Sequence, residues 1–233
     1  MATIDRALII RRLKVPSSLE YAEYCAQSCK KHGLPYEFID GIEFLPPDEA
    51  FKAVGSYLKP ELADKGTMGH HNCHASHIKA WRRIVEIDKP CLILEHDAVV
   101  KGRVQNIDLP DMAVVTFGHR VGNENRYNPV SPIKSLVQIP RAMGVHACGL
   151  TPKTAKWLVE EAEENGAGQN VDCWLIMERK SGLPLYVTEP PQVVCWPRQS
   201  TREWQQEETP NYQMGSTWSF ADGLTPGWRA GFR

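Results

Sequence analysis

The chain has 233 residues, with 27 lysines and arginines against 28 aspartates and glutamates, and a formal net charge of −1. This length suits one substantial domain, and the absence of any basic block argues against a nucleic-acid partner. The seven cysteines include no Cys-x-x-Cys pair and lack the density of a disulfide scaffold. Because the sequence also shows no signal peptide and no membrane-length apolar run, we expect a cytoplasmic protein with reduced thiols and no transmembrane segment.

The first forty residues predict a strand, a helix and a second strand. The apolar run at 7–10 is followed by a helical spacing of apolar residues that closes at Gly33. Residues 36–39 then predict a strand that leads into Asp40 and Gly41. This order of elements is typical of a parallel sheet with right-handed crossovers.

The next helix, predicted at about residues 71–87, leads directly into an apolar strand at 91–94 that ends in Glu95, His96 and Asp97. Side chains alternate along a strand, so Glu95 and Asp97 would point the same way from its carboxyl end, where open α/β sheets bind ligands. Two carboxylates there suit Mg²⁺ or Mn²⁺, which complete their shells with water and substrate phosphates. A polar turn after the strand is the alternative interpretation.

Further strands are predicted at 112–117, 145–150 and 185–188. A helix begins at the Thr-Pro pair 151–152, and a short one follows Asp172. Residues 118–132 are typical of a polar loop, while residues 198–233 are poor in apolar side chains. We therefore expect a single α/β domain over residues 1–197, followed by an extended tail over 198–233.

Three sequence blocks preserve the order and spacing of one known family. They are Gly-His-His-Asn-Cys-His-Ala-Ser-His-Ile-Lys-Ala-Trp at 69–81, Leu-Ile-Leu-Glu-His-Asp at 92–97, and residues 149–158 followed by Val-Asp at 171–172 and Pro-Pro at 190–191. These blocks resemble glycosyltransferase family 25, the lipopolysaccharide and collagen galactosyltransferase group. Together with the Asp-Gly pair at 40–41, they cover roughly residues 5–195. Asn72 departs from the family's second glycine, and His96 replaces the middle acid of its Glu-Asp-Asp motif.

The resemblance implies a GT-A-like fold, with a mixed, mainly parallel sheet flanked by helices. It also implies a metal-dependent, inverting enzyme that moves galactose or glucose from a UDP-sugar to a glycan or other hydroxyl acceptor. Mn²⁺ or Mg²⁺ would neutralise the diphosphate leaving group, with Asp97 as the main ligand and Glu95 as a second contact to the metal or donor ribose. Asp172 would be the catalytic base, although an aspartate at this place also suits a helix N-cap.

The remaining donor-site candidates are Arg11, Arg12, Asp40, Gly69, Ser76 and His77. Arg11 or Arg12, at the end of the first strand, could contact nucleotide phosphates, and Asp40 could bind the uracil or ribose. The resemblance implies that Ser76 and His77 shape the donor pocket, and Gly69 begins the same motif block. Structural explanations exist for the same residues, namely solvated arginines, an Asp-Gly turn, a capping serine and a core histidine. We expect His96 to pack beneath the site. Trp196, Trp204, Trp218 and Trp228 could stack on sugars or anchor the tail.

Two other functions are compatible with the sequence. A noncatalytic relative that binds sugar nucleotides or glycans could retain the fold after the change to His96. A zinc protein could use His70, His71, Cys73, His74 and His77, because several of these residues have the i, i+3 or i, i+4 spacing of ligands on one helix. The missing glutamate of a His-Glu-x-x-His motif argues against a zinc peptidase.

Overall fold

The structure is a computed structural model that describes residues 2–118, 133–140, 142, 144–177 and 181–195. The predicted tail at 198–233, nearly all of the predicted loop at 118–132 and the four tryptophans from Trp196 onward lie outside the described residues. The domain boundary at residue 197 therefore stays a prediction. Among the described helices, none has the length and apolar character needed to cross a bilayer.

The described secondary structure follows the predicted alternation of strands and helices. The strands are β1 (Ala2–Thr3), β2 (Arg6–Arg11), β3 (Tyr36–Asp40), β4 (Cys91–Glu95), β5 (Ala98–Val100), β6 (Asp108–Leu109), β7 (Val114–Thr116), β8 (Ser135–Ile139), β9 (Ala147–Leu150), β10 (Leu185–Glu189) and β11 (Val193–Cys195). The α-helices are α1 (Pro16–Lys31), α2 (Pro47–Lys52), α3 (Met68–Ile87) and α4 (Pro152–Glu164). Short 3₁₀ helices occur at Pro60–Leu62 and Val104–Asn106, and Cys173–Met177 is π-helical.

Seven strands form the central sheet in the order β3-β2-β4-β9-β7-β10-β8. Strands β3, β2, β4, β7 and β10 run in one direction, whereas β9 and β8 run against them. Two smaller pairs, β1 with β6 and β5 with β11, are both antiparallel. The predicted α/β class, with a mixed, mainly parallel sheet flanked by helices, is confirmed.

Strand β4 lies in the middle of the molecule because both of its faces are apolar. Cys91 and Ile93 pack into the cluster that includes α3 and α4, whereas Leu92 and Leu94 pack into the cluster that includes α1. A strand covered on both faces needs a continuous apolar run rather than alternation. The sequence Cys-Leu-Ile-Leu meets that requirement and places the end of β4 between two helical layers.

Helix α3 begins about one turn earlier than predicted, with Thr67 as its N-cap. The Thr67 hydroxyl accepts a hydrogen bond from the His70 N–H at 3.4 Å, and His70 Nδ1 accepts one from the Thr67 N–H at 3.0 Å. This reciprocal pair is a capping box in which histidine takes the usual place of glutamate or glutamine. Gly69 consequently lies in the first turn of α3. The helix ends at Asp88, whose φ of 52° is left-handed.

Trp81 anchors α3 to the cluster on its face of the sheet. The side chain is fully buried, and its ring stacks on Trp174 with a centroid separation of 5.7 Å. Replacing Trp81 with alanine should lower the free energy of unfolding by about 3–5 kcal/mol, because a large cavity remains. Urea denaturation measures the change, with Val85→Ala as a control at an exposed position of the same helix. A loss below about 1 kcal/mol for Trp81→Ala would contradict this packing role.

Candidate active site

The candidate site lies at the edge of the sheet where the five co-directional strands end. Because β9 runs the other way, its beginning lies at the same edge, and Leu94 of β4 pairs with Ala147 of β9. The Glu95 N–H donates a hydrogen bond of 3.0 Å to the His146 carbonyl just before β9. Residues that are 51 positions apart in the chain are thereby neighbours at the site, as expected for this edge of an α/β sheet.

Glu95, at the end of β4, directs its carboxylate at helix α3. Its Oε1 accepts a hydrogen bond from Cys73 Sγ at 3.5 Å and lies 3.4 Å from His77 Nε2. Cys73 and His77 are four residues apart, so they project from neighbouring turns of the same helical face. The His77 side chain is only 1% exposed, whereas that of Glu95 is 22% exposed. Glu95 is therefore held from the buried side and remains accessible from solvent.

Asp97 lies in a turn, whereas the prediction extended the strand through this residue. Strand β4 ends at Glu95, and His96 and Asp97 form a turn, so strand alternation does not orient Asp97. Its Oδ2 accepts a hydrogen bond of 3.2 Å from Cys195 Sγ in β11. Its Oδ1 is buried and has no hydrogen-bond partner among the residues that the structure describes. A buried carboxylate oxygen of this kind is costly without a partner and suits a cation.

His96 agrees with the expectation that it packs beneath the site. Its ring is parallel to the Tyr21 ring of α1, with centroids 6.2 Å apart and an interplanar angle of 6°. Helix α1 covers the face of the sheet opposite to α3. His96, which replaces the family's middle acid, therefore contacts α1. Glu95 instead faces α3 on the opposite side of the sheet.

Arg11 and Asp40 form an ion pair at the ends of β2 and β3. Arg11 Nε lies 2.9 Å from Asp40 Oδ1, and the guanidinium lies 4.3 Å from the centroid of the Phe38 ring. The Gly41 N–H donates a hydrogen bond of 2.8 Å to the Arg11 carbonyl. Arg11 is thus fixed by a carboxylate and an aromatic face instead of being only solvated.

Arg12 belongs to a second ion pair, with Glu43 as its partner. Its Nε lies 3.8 Å from Glu43 Oε2, and its guanidinium lies 4.9 Å from the Phe44 ring centroid. The Glu43 carboxylate also accepts hydrogen bonds from the backbone N–H groups of Leu13 and Lys14, at 2.6 Å and 3.1 Å. No motif identified Glu43, because its partners lie about thirty residues earlier in the chain.

Ser76 joins α3 to the segment after β3, so it does not act as the capping serine of the alternative interpretation. Its hydroxyl accepts a hydrogen bond from the Ile42 N–H at 2.8 Å and donates one to the Asn72 carbonyl at 2.7 Å. A Cβ at Gly41 would lie 3.0 Å from Ser76 Oγ and 3.2 Å from the Arg11 carbonyl. Glycine at position 41 therefore permits the close approach of the segment to both β2 and α3.

Asn72, which departs from the family pattern, reinforces the same junction. Its Oδ1 accepts a hydrogen bond from the Leu45 N–H at 3.2 Å, and its Nδ2 donates bonds of 2.8 Å to the carbonyls of Leu45 and Met68. Asn72 is almost fully buried. A glycine could not make these bonds, so the substitution adds a polar clamp between α3 and residues 41–45.

Asp172 does not cap its helical segment, which begins at Val171. Asn170 does so, because its Oδ1 accepts a hydrogen bond from the Asp172 N–H at 3.0 Å. The Asp172 Oδ1 instead accepts a bond of 2.6 Å from the Val145 N–H. Val145 precedes His146, whose carbonyl accepts the hydrogen bond from Glu95. Asp172 is thereby placed at the same sheet edge as the predicted donor-site residues.

Of the five residues in the zinc hypothesis, Cys73 and His77 are the two that the described structure brings into a metal-binding arrangement. His70 is occupied in the capping box of α3, and His71 presents its ring to Phe51 of α2 with a centroid separation of 6.0 Å. The four histidines cannot converge because they point to different neighbours around the helix. Within the described ranges, the only set of three side chains with a metal-binding arrangement is Cys73, His77 and Glu95.

His74 is a core residue enclosed by aromatic rings. Its ring centroid lies 5.6 Å from that of Phe51, 5.9 Å from that of Trp81 and 5.1 Å from that of Trp174. Its Nδ1 lies 2.8 Å from the Gly168 carbonyl. Burial disfavours the charged form and lowers the pKa of His74 to about 3. The ring is therefore neutral at neutral pH and stabilises the packing of α3 against α2.

Residues 17–112 match the family model described as glycosyltransferase family 25 (LPS biosynthesis protein). This range contains the first two motif blocks and the elements from α1 to the segment before β7. Residues 17–112 therefore belong to glycosyltransferase family 25. The match confirms the family resemblance of the first two motif blocks, and the chain is a glycosyltransferase. No curated protein matches the sequence.

Solved structures that resemble this glycosyltransferase include three other glycosyltransferases. One is involved in the glycosylation of the major capsid of PBCV-1; it is 14% identical, the alignment covers 79% of this chain and 82% of that chain, and the TM-score is 0.39. A second is the apo form of GlyE from Streptococcus pneumoniae TIGR4, which is 13% identical. The alignment covers 72% of this chain and 41% of that chain, and the TM-score is 0.36. A third is the apo form of mouse xyloside xylosyltransferase 1, which is 12% identical. The alignment covers 90% of this chain and 92% of that chain, and the TM-score is 0.36. These likenesses are distant, so the assignment depends on the family match and the motifs.

The environment of His74 predicts how stability depends on pH. Its folded pKa of about 3 lies below the value of about 6.5 for an exposed histidine, so the unfolded chain binds the extra proton. Protonation of the unfolded chain should therefore lower stability by up to about 1.4 kcal/mol per pH unit as the pH falls from about 6 toward 3. His74→Phe should show a shallower decline in urea unfolding between pH 7 and pH 4.5. His32→Gln is the control at a less buried histidine, and parallel curves for His74→Phe and the parent protein would contradict the prediction.

Proposed function

We propose that this glycosyltransferase moves a hexose, galactose or glucose, from a UDP-sugar to a hydroxyl group of a glycan or similar acceptor, with inversion at the anomeric carbon. Mn²⁺ or Mg²⁺ would bind at Asp97. The observation that carries this proposal is the buried Asp97 Oδ1, which has no partner among the described residues, at the sheet edge that also holds Glu95. Carboxylate oxygens are the preferred ligands of both ions.

The residues around Asp97 fit a hard divalent cation. Oδ1 can coordinate it, while the Cys195 thiol holds Oδ2 and fixes the orientation of the carboxylate. Glu95 would provide a second contact, to the ion or to the donor ribose. When bound, the ion would neutralise charge on the diphosphate leaving group. His96, turned toward Tyr21, does not contribute a ligand in this proposal.

The nucleotide of the donor would lie along the ends of β2 and β3. Arg11 and Arg12 supply positive charge there for the diphosphate, and Asp40 supplies an acceptor for the ribose or uracil. Ser76 and His77 would shape the pocket from α3, where Ser76 holds the segment after β3 and His77 supports Glu95. Gly69 lies one turn before Cys73 on the same helix.

Asp172 is the proposed base that takes the proton of the acceptor hydroxyl. Its hydrogen bond to the Val145 N–H fixes the carboxylate beside the start of β9, across the site from the β2 and β3 ends. A base must lie on the face of the sugar opposite the leaving group for inversion. The division of the site between a nucleotide side and a side near β9 supports that arrangement.

Loss of the Asp97 carboxylate tests the metal proposal. Asp97→Asn should reduce Mn²⁺-dependent hydrolysis or transfer from UDP-galactose or UDP-glucose at least about 100-fold, because an amide is a poor ligand for the ion. Thermal shift with a panel of nucleotide sugars, in Mn²⁺ or in chelator, identifies the donor. Asp111→Asn is the matched control, since Asp111 is an exposed carboxylate near Lys153.

Each possible result of these measurements has a distinct meaning. Equal binding of UDP-sugars in Mn²⁺ and in chelator would contradict a metal site. Binding that requires Mn²⁺ without any turnover would favour the noncatalytic relative over the enzyme. Formation of a product with retained anomeric configuration, detected by NMR, would overturn inversion.

Replacing Asp172 with asparagine tests the base. The amide oxygen can still accept the Val145 N–H, so the fold should be preserved while the proton acceptor is lost. We expect kcat to fall by about 10²–10⁴-fold with little change in the KM for the donor. Asn170→Asp, which keeps an oxygen for the helix cap, is the control and should retain activity. A kcat within threefold of the parent value would show that another group takes the proton.

A further inference from the structure

Three side chains of different donor chemistry meet beside the proposed donor site. Cys73 Sγ lies 3.5 Å from Glu95 Oε1, and His77 Nε2 lies 3.4 Å from the same oxygen. All three potential ligand atoms lie within 4.8 Å of one another. Cys73 and His77 project from consecutive turns of α3, and Glu95 closes the group from the end of β4. Two secondary-structure elements of the rigid core therefore hold the cluster.

The two separations that involve Glu95 Oε1 match those expected around a tetrahedral zinc ion. With Zn–S near 2.3 Å and Zn–N and Zn–O near 2.1 Å, tetrahedral angles separate a nitrogen and an oxygen ligand by roughly 3.4 Å and a sulfur and an oxygen ligand by roughly 3.6 Å. The measured separations of 3.4 Å and 3.5 Å agree closely with these values. Mn²⁺ and Mg²⁺ prefer oxygen, whereas thiolate and imidazole favour Zn²⁺.

We propose that Cys73, His77 and Glu95 form a zinc site, distinct from the Asp97 site but sharing Glu95 with it, with its fourth position open to solvent. Binding would form a Zn–S bond as the Cys73 thiol proton leaves to the buffer. His77 would bind through Nε2 and carry its proton on Nδ1. The partial exposure of Glu95 leaves a path for the ion and for a water ligand.

The surroundings of His77 determine how tightly the ion is held. Metal-binding histidines usually donate their second N–H to an acceptor, which orients the ring. His77 Nδ1 is buried and has no hydrogen-bond partner among the described residues. We therefore expect an exchangeable ion that a chelator removes without unfolding the protein, unlike the ion of a structural zinc site.

Zinc at this place has a consequence that depends on the proposed function. The ion would engage Glu95, which the Asp97 site also uses as its second contact. Zn²⁺ bound at the cluster should therefore weaken Mn²⁺-dependent binding of the UDP-sugar. Cys73→Ser should remove this inhibition while the Mn²⁺-dependent binding itself remains.

Zinc binding by the full chain, reduced and stripped with EDTA, tests the proposal. Competition with a chromogenic chelator should give one Zn²⁺ per chain, and Co²⁺ substitution should give a thiolate-to-cobalt charge-transfer band. Cys73→Ser and Glu95→Gln should each weaken zinc binding at least about tenfold, and Cys73→Ser should abolish the band. Cys173→Ser, which changes a half-buried thiol outside the cluster, should leave both measurements unchanged.

The outcomes separate this inference from the proposed function. Parental zinc affinity in Cys73→Ser, with its fold verified by circular dichroism, would overturn the zinc site. If Cys173→Ser lost zinc binding while Cys73→Ser kept the parental zinc affinity, the ion would be assigned to another place. That result would also overturn the proposed zinc site. Asp97→Asn should retain zinc binding even though it loses Mn²⁺-dependent donor binding, so either proposal can fail without the other.

Discussion

The hydrogen bond from the Glu95 N–H to the His146 carbonyl is the contact on which the arrangement of the site depends. It exists because β9 lies antiparallel between β4 and β7, so that β9 begins where β4 ends. An all-parallel sheet would place the start of the neighbouring strand at the opposite edge. This single reversal brings Asp172, which binds the Val145 N–H, to the edge that carries Glu95.

Helix α3 provides the second constraint, since nearly every one of its inward-facing residues has a defined partner. Trp81 and His74 secure it to the aromatic cluster, while Asn72 and Ser76 bind the segment after β3. Cys73 and His77 then face Glu95 from a helix that cannot shift without breaking those contacts. The polar residues of α3 are consequently structural supports of the site as well as candidates for its chemistry.

Glu95 lies between two environments with different preferences for metals. On one side are the Cys73 thiol and the His77 imidazole, which favour zinc, and in the turn that follows β4 lies Asp97, whose carboxylate oxygens favour Mn²⁺ or Mg²⁺. The turn at His96 and Asp97 separates these environments, because it directs the Asp97 carboxylate to Cys195 while the Glu95 carboxylate faces Cys73 and His77 of α3. Under the two metal proposals, the selectivity of the site would depend on which ion engages Glu95.

The family, the α/β class and most helices and strands could be predicted from the sequence, because they depend on local apolar periodicity, on caps such as Thr151 with Pro152, and on motif order. The candidate residues at the ends of β2, β3 and β4 were identifiable for the same reason.

Only the tertiary structure decided what depends on distant partners. Cys195 lies 98 positions from Asp97, Glu43 lies about thirty from the backbone that it binds, and β9 reverses the sheet through a long-range pairing. The histidines show the distinction most clearly. Their spacing predicted one shared cluster, but packing against α2 and β4 assigned His74 to the core and His77 to Glu95, because burial and neighbouring elements, rather than spacing, determine what a side chain contacts.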